Sequence, residues 1–315
     1  YLSRADVERI GLDMATIIQL LDAAFREKAE GRVEMPPKPG VHPRPDAFIH
    51  AMPAHIPAMK SAGVKWVSGF PENLARGLPY ISGLLILNDD DTGLPIAVMD
   101  CTWITGARTG AATALAARPL ARPDSAAAAM LGCGVQGRTN LAALATLLPI
   151  KRVYAYDTSR EAQQLYVDEM RARLGLDIVG VTAPRDAVVA ADLVVTSGPI
   201  LRTPHATIHA DWLQPGAFAS AVDYDSYWAP GALAQIDKIA TDDHAQFEYT
   251  RQLGYFARTP TPYASLDELV TGRKPGREHD EERTMAMNLG LARDDLAVAP
   301  ALYRRAFRGP SVVIP

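Results

Sequence analysis

The stretch Ser125–Leu148, SAAAAMLGCGVQGRTNLAALATLL, decides the fold. Its first part, Ala126 to Leu131, is an apolar run of strand length, and its last part sets Leu141, Leu144 and Leu148 on one helical face. Between them stands Gly132-Cys133-Gly134-Val135-Gln136-Gly137, a complete G-x-G-x-x-G. Strand, glycine turn and helix in that order make a pyrophosphate cradle. Gly132 allows the tight turn, Gly134 lets a diphosphate approach the backbone, and Gly137 lets helix and strand pack closely. The helix N-terminus then presents N–H groups and the positive end of its dipole. Asp157 closes the next strand about 20 residues on, where the adenosine ribose is held. Its carboxylate accepts from a 2′-hydroxyl and repels a 2′-phosphate, so NAD is the expected cofactor; Arg160 leaves NADP open.

Downstream of the cradle the rhythm continues. Strand candidates recur at Arg152 to Tyr156, Asp177 to Val181, Leu193 to Thr196, Ala217 to Val222 and Lys238 to Thr241, with a helix over Ser159 to Arg173. Alternating strands and helices predict an α/β fold, a Rossmann-type doubly wound parallel sheet. Upstream the pattern differs. A helix over Met14 to Glu30 carries Ile17, Ile18, Leu21 and Phe25 on one stripe. Five prolines between Met35 and Pro45 forbid a helix or an inner strand there. Closely spaced strands at Ala47 to Met52, Gly63 to Val67, Ile81 to Leu87 and Pro95 to Met99 predict a mostly antiparallel sheet. A small-residue helix, Thr105 to Ala117, is expected to be closed by Pro119 and Pro123, and another helix spans Leu291 to Phe307.

Composition narrows the function. A chain of 315 residues, 48% apolar and 22% charged, is an ordinary globular protein of about two domains, neither disordered nor fibrous. Lys and Arg number 32 against 36 Asp and Glu, so no polybasic field exists to hold nucleic acid. Cys101 and Cys133, far apart, can build neither a zinc framework nor a disulfide scaffold, and both read as packed thiols. The seven histidines are scattered, so no metal is expected. No apolar run approaches the ~20 residues of a membrane helix and no signal peptide is visible, which makes a cytoplasmic protein the expectation. Trp66, Trp103, Trp212 and Trp228 read as core, and the charged run Arg277 to Arg283 as a solvated loop.

Lys65 lies inside a strand and Arg108 on what reads as the first turn of an alanine-rich helix. A buried cation costs several kcal/mol unless it meets an anion. Two of them on apolar elements suggest a carboxylate clamp, in which Arg binds in a bidentate way; the alternative is that both snorkel to the surface. Asp225, just past the strand Ala217 to Val222, falls at the carboxyl edge of the parallel sheet, where ligands of such folds bind. Asp223, two residues away, could exchange roles with it.

Five segments together, Gly63-Val64-Lys65-Trp66-Val67, Gly77-Leu78-Pro79, Asp91-Thr92-Gly93-Leu94-Pro95, Ile104-Thr105-Gly106-Ala107-Arg108-Thr109-Gly110-Ala111 and the Gly132 to Gly137 loop, make the chain resemble the ornithine cyclodeaminase/mu-crystallin family over nearly its whole length. The resemblance implies a homodimer in which a nucleotide-binding domain, 121–290, is inserted into a smaller α+β substrate and dimerisation domain, 1–120 completed by 291–315. It implies substrate carboxylate on Lys65 and Arg108, with Lys38 as a third cation and Leu289 beside the substrate. Asp225, with Lys65, would be catalytic and would handle the proton on nitrogen. Nucleotide contacts would come from Tyr80, Arg108, Thr109, Gly132, Gly134, Val135, Gln136, Gly137 and Asp157, and from Thr196, Ser197, Gly198, Ser220, Ala221, Val222 and Asn288. Family activities include amino-acid dehydrogenases and cyclic imine reductases, which act by hydride transfer at the α-carbon, ammonia-releasing cyclodeaminases, and non-catalytic binding as in mu-crystallin. Cyclodeaminases place a glutamate in the segment that here reads Ile49-His50-Ala51-Met52-Pro53-Ala54, and none stands there. That departure favours net redox on an amino or imino acid.

Overall fold

Ser3 and Asp13 each start a helix by accepting from the N–H three residues on: α1 (Arg4–Ile10) and α2 (Met14–Ala29). The expected stripe of α2, Ile17, Ile18, Leu21 and Phe25, is buried. The computed structural model describes residues 1–307. Its chain divides into two units, Tyr1–Arg108 together with the residues from Gly290 onward, and Thr109–Leu289.

The first unit is built on a five-stranded antiparallel meander, β1 (Gly40–Val41), β2 (Phe48–Ile56), β3 (Ser61–Gly69), β4 (Ile81–Asn88) and β5 (Pro95–Asp100), in that spatial order. The four expected strands are present, and β2 runs on through Pro53 to Ile56. Pro53 is tolerated because β1 covers only Ile49 and His50, so β2 is an edge strand at the proline. Register assigns the faces. Lys65 sits between Met52 and Leu85 on the inner face, whereas Trp66 lies between Ala51 and Leu84 on the outer one. Trp66 is 54% exposed, which corrects its reading as core: alternation along β3 gives an aromatic to each face without saying which is covered. Of the other tryptophans, Trp228 is buried and Trp103 and Trp212 are half-buried.

Helix α3 (Thr102–Leu120) starts where Asp100 accepts from the Thr102 N–H at 2.8 Å. It therefore begins a turn earlier than expected, which puts Arg108 on its second turn, and it absorbs Pro119 in its last turn instead of ending before it.

In the second unit β6 (Ala127–Leu131), α4 (Val135–Leu147), β7 (Arg152–Tyr156), α5 (Arg160–Leu174), β8 (Asp177–Gly180), α6 (Pro184–Val188) and β9 (Leu193–Thr196) alternate as expected. They are followed by β10 (Phe218–Ala221), α7 (Pro230–Leu233), β11 (Lys238–Thr241), α8 (His244–Gln252), β12 (Ala264–Ser265), α9 (Leu266–Val270) and β13 (Thr284–Met287). All eight strands are parallel, in the order β12-β11-β13-β10-β9-β6-β7-β8. The order reverses between β6 and β9, the switch point at which doubly wound sheets bind ligands.

The run Arg277 to Arg283 is a loop exposed from Glu278 to Glu281, in keeping with its reading as solvated, and side-chain bonds tie it down. Arg277 donates to the carbonyls of Leu120, Gly216 and Glu282, and Lys238 pairs with Glu278 and Glu282. These bonds anchor the approach to β13, which slots between β10 and β11.

Helix α10 (Ala292–Phe307) returns to the first unit and packs on β2, β3 and α2. Among the described residues no helix is long and apolar enough to cross a membrane.

Candidate functional site

Each unit carries one cluster of chemistry-bearing residues. In the second, the glycine loop follows β6 with the geometry its sequence demands. Gly132 has φ +107°, and a Cβ there would lie 2.8 Å from the Ser197 carbonyl oxygen. A Cβ on Gly137 would lie 2.2 Å from the Gly132 carbonyl oxygen. At Gly134, by contrast, a side chain would meet nothing within 4 Å, so open space lies over the loop where a diphosphate would back onto it. Gly134 caps α4 without a side-chain hydrogen bond, and the first turn holds no acidic residue, which suits an anion at this helix end. Residues and geometry fit a dinucleotide.

Asp157 ends β7 as expected, and its carboxylate accepts from the N–H of Cys133 and of Ser159, both at 2.8 Å. It thereby ties the glycine loop to the neighbouring strand. Arg160 is exposed. Because the strands are parallel, Ser197 and Gly198 after β9, Val222 to Asp225 after β10 and Asn288 with Leu289 after β13 all emerge at the same carboxyl edge as Gly132. Ser197 donates to the Gly132 carbonyl at 3.1 Å, and the Leu289 N–H donates to Asp242 at 3.0 Å. Ser220, within β10, is buried against Thr113.

Asp223 and Asp225 have different surroundings. Asp223 is fully buried and accepts from the Thr196 hydroxyl at 2.7 Å and the Gly198 N–H at 2.8 Å; Trp228 donates to the same hydroxyl. Burial outweighs both bonds and pushes its carboxyl up to about 7. Asp225 accepts from the Thr259 hydroxyl at 3.0 Å, and burial raises its carboxyl as well. Tyr224 between them adopts φ +64°, a costly conformation for an aromatic residue, and packs on Tyr255 and Phe256.

A carboxyl raised on folding binds more protons in the native state, so Asp223 should make stability fall as pH rises from about 4 toward about 7. One such group contributes at most about 1.4 kcal/mol per pH unit. Denaturant titrations of the native protein and Asp223→Asn across that range are expected to show a shallower decline in the variant; parallel curves would contradict it.

The first unit buries the other cluster. Lys65 of β3 is 1% exposed, and its Nζ lies 2.6 Å from Asp295 Oδ2. The Arg108 Nε donates to Asp295 Oδ1 at 3.1 Å, and its Nη1 lies 3.9 Å from Asp294. Arg293 donates to Asp294 at 2.8 Å and stacks 3.6 Å above the Phe25 ring. The structure thus brings Lys65 and Arg108 together. Lys38 is half-buried and donates to the Gly290 carbonyl at 3.2 Å. Gly290 has φ +70°, and a Cβ there would lie 2.4 Å from Arg108 Nη1, so only glycine lets the guanidinium approach. Burial and then the Arg108 charge pull the Lys65 ammonium below its ordinary pKa, while Asp295 opposes them. His50 stacks on Phe48, and burial with the nearby Lys38, His42 and Lys65 drives it down to about 3, so it stays neutral.

Tyr80 and Thr109 are half-buried. The sequence reading missed Arg293, Asp294 and Asp295. Three successive charges at the start of an amphipathic helix read as solvated, and only the structure shows them buried with Leu296 to Pro300.

A parallel doubly wound sheet with a glycine loop at its switch point, joined in one chain to an antiparallel unit with buried cations, defines the class: a two-unit dinucleotide-fold protein. The chain belongs to the ornithine cyclodeaminase/mu-crystallin family, whose model matches residues 2–309. It is 33% identical over 311 residues to the nodulation efficiency protein NfeD of Rhizobium meliloti, covering 96% of this chain and 94% of that one. Among solved structures it is similar to the Δ1-pyrroline-2-carboxylate reductase of Thermococcus litoralis in complex with NADH and L-proline (30% identity, TM-score 0.88, 99% of each chain). It is also similar to an archaeal alanine dehydrogenase dimer with bound NAD (34% identity, TM-score 0.85, 98% of this chain and 95% of that one).

Proposed function

We propose that the protein is an NAD-dependent oxidoreductase acting at the α-carbon of an amino or imino acid. The observation that carries this reading is that the fold brings two buried cations, Lys65 and Arg108, onto one carboxylate, Asp295. Two cations set close together in apolar surroundings, one of them a guanidinium that can bind in a bidentate way, suit a substrate carboxylate. Relatives that act on amino or imino acids and carry NAD or NADH support the same reading. Bound nicotinamide supplies the hydride chemistry. The chain's residues hold the carboxylate on Lys65 and Arg108, the pyrophosphate on the Gly132 to Gly137 loop, the ribose on Asp157 and the proton on nitrogen through Asp225. The segment Ile49 to Ala54 carries neutral His50 and no carboxylate, which favours a substrate without a second amine and net redox over deamination.

Supplying α-amino acids with NAD, and their keto or imino counterparts with NADH, while following NADH absorbance and ammonia in one sample tests this. Net NADH change is expected; ammonia without it would make the protein a cyclodeaminase.

A homodimer in the cytoplasm completes the reading. The outer face of the antiparallel sheet exposes Trp66, Leu84 and Ile86 side by side, an apolar face suited to a second copy, and the archaeal relative is a dimer. Trp66→Glu is expected to yield monomers in sedimentation; an unchanged mass would contradict that interface.

A further inference from the structure

We propose that Asp295 is the positioning residue of the clamp: its one carboxylate keeps Lys65 charged and fixes the plane of Arg108. The proposal rests on the carboxylate-clamp reading above. Its two oxygens are divided between the two cations, Oδ2 at 2.6 Å from Lys65 Nζ and Oδ1 at 3.1 Å from Arg108 Nε. All three side chains are buried, so no water screens the two like charges from one another. The groups facing Lys65 are Asp295 from α10, Arg108 and the Thr105 hydroxyl from α3, and the Cys101 thiol before it; His50 on β2 acts on it from further off and is neutral. Met52 and Leu85, its cross-strand neighbours, carry no charge. Asp295 is therefore the carboxylate within contact distance of Lys65 among the described residues. Asp294, the adjacent carboxylate, is engaged by Arg293 instead. Arg108 depends on Asp295 differently. A guanidinium held through Nε cannot rotate about its last bonds, which fixes where its terminal nitrogens point.

Without the Asp295 charge, the main opposition to burial and the Arg108 charge is gone, so Lys65 should release its proton at lower pH than in the native protein and the clamp should lose one cation. In Asp295→Asn, the KM for the amino or imino acid is expected to exceed the native value by about tenfold or more at high pH, the ratio narrowing as pH falls and Lys65 reprotonates. Affinity for NADH should stay native. A ratio that is the same at every pH, or a native KM throughout, would overturn the proposal. Should Asp295→Asn fail to fold, Asp295→Glu keeps the charge but displaces the carboxylate from its place between the two cations. Its loss in kcat/KM should be smaller by about tenfold in the Lys65→Met background than in the native background, and equal losses would overturn the proposal. A readout free of turnover is the NMR titration of isotope-labelled lysine, with Lys65 assigned by its absence in Lys65→Met. Lys65 should remain charged in the native protein and become neutral in Asp295→Asn; a charged Lys65 in both would sink the proposal. If the native protein binds NADH and turns over no amino or imino acid, the proposed function fails, and the NMR titration still decides the role of Asp295.

Discussion

Replacing Arg108 by lysine is expected to cut kcat/KM for the amino or imino acid by about 30-fold to several thousand-fold, the equivalent of ~2–5 kcal/mol for breaking a buried charged pair. Conserving the charge should not rescue activity. The guanidinium gives Nε to Asp295 while its end lies against Gly290, in a space that only the absence of a Cβ leaves open. An ammonium is one point charge with no plane, so it cannot serve Asp295 and a substrate carboxylate from the same site. Steady-state kinetics beside a fluorescence titration with NADH checks this. Lost turnover with native nucleotide affinity is the expected pair, and near-native kinetics would remove the clamp.

Two glycine substitutions should separate the cradle's packing from its ligand. Gly137→Val places carbon against the Gly132 carbonyl, which is backbone and cannot step aside, so the variant should lose stability by about 1–3 kcal/mol and nucleotide affinity with it. Gly134→Val points into open space, so it should unfold at the native temperature yet bind NADH about 100-fold more weakly, because the side chain fills the room a diphosphate needs. Thermal unfolding and NADH titration of both variants test the contrast. Native affinity in Gly134→Val would mean that the nucleotide does not lie over this loop.

What the sequence made legible follows range of interaction. The β6–loop–α4–β7 unit could be read because every signal in it is local: apolar runs of strand length, three glycines with separate steric duties, and a leucine stripe at helical spacing. The paired cations were visible too, as long polar side chains set in apolar elements. The partner of Lys65 was not. Asp295 lies far along the chain on a helix whose pattern reads as amphipathic, and only the packing of α10 on β3 brings the two together. Strand β13 went unread for a related reason, since Thr284–Met287 is four residues long and gains its identity from a slot between β10 and β11. Trp66 shows the limit of periodicity: alternation fixes that two faces exist, and burial decides which is core.

The central claim is that the carboxylate of the substrate is what Lys65 and Arg108 recognise. It is tested most directly by comparing an amino acid that the enzyme oxidises with its own carboxamide, at equal concentration, by NADH absorbance. Only the charge is removed from the group the clamp would hold. The acid should reduce NAD, and the amide should do so with kcat/KM at least about 100-fold lower. Equal turnover of acid and amide would contradict the account.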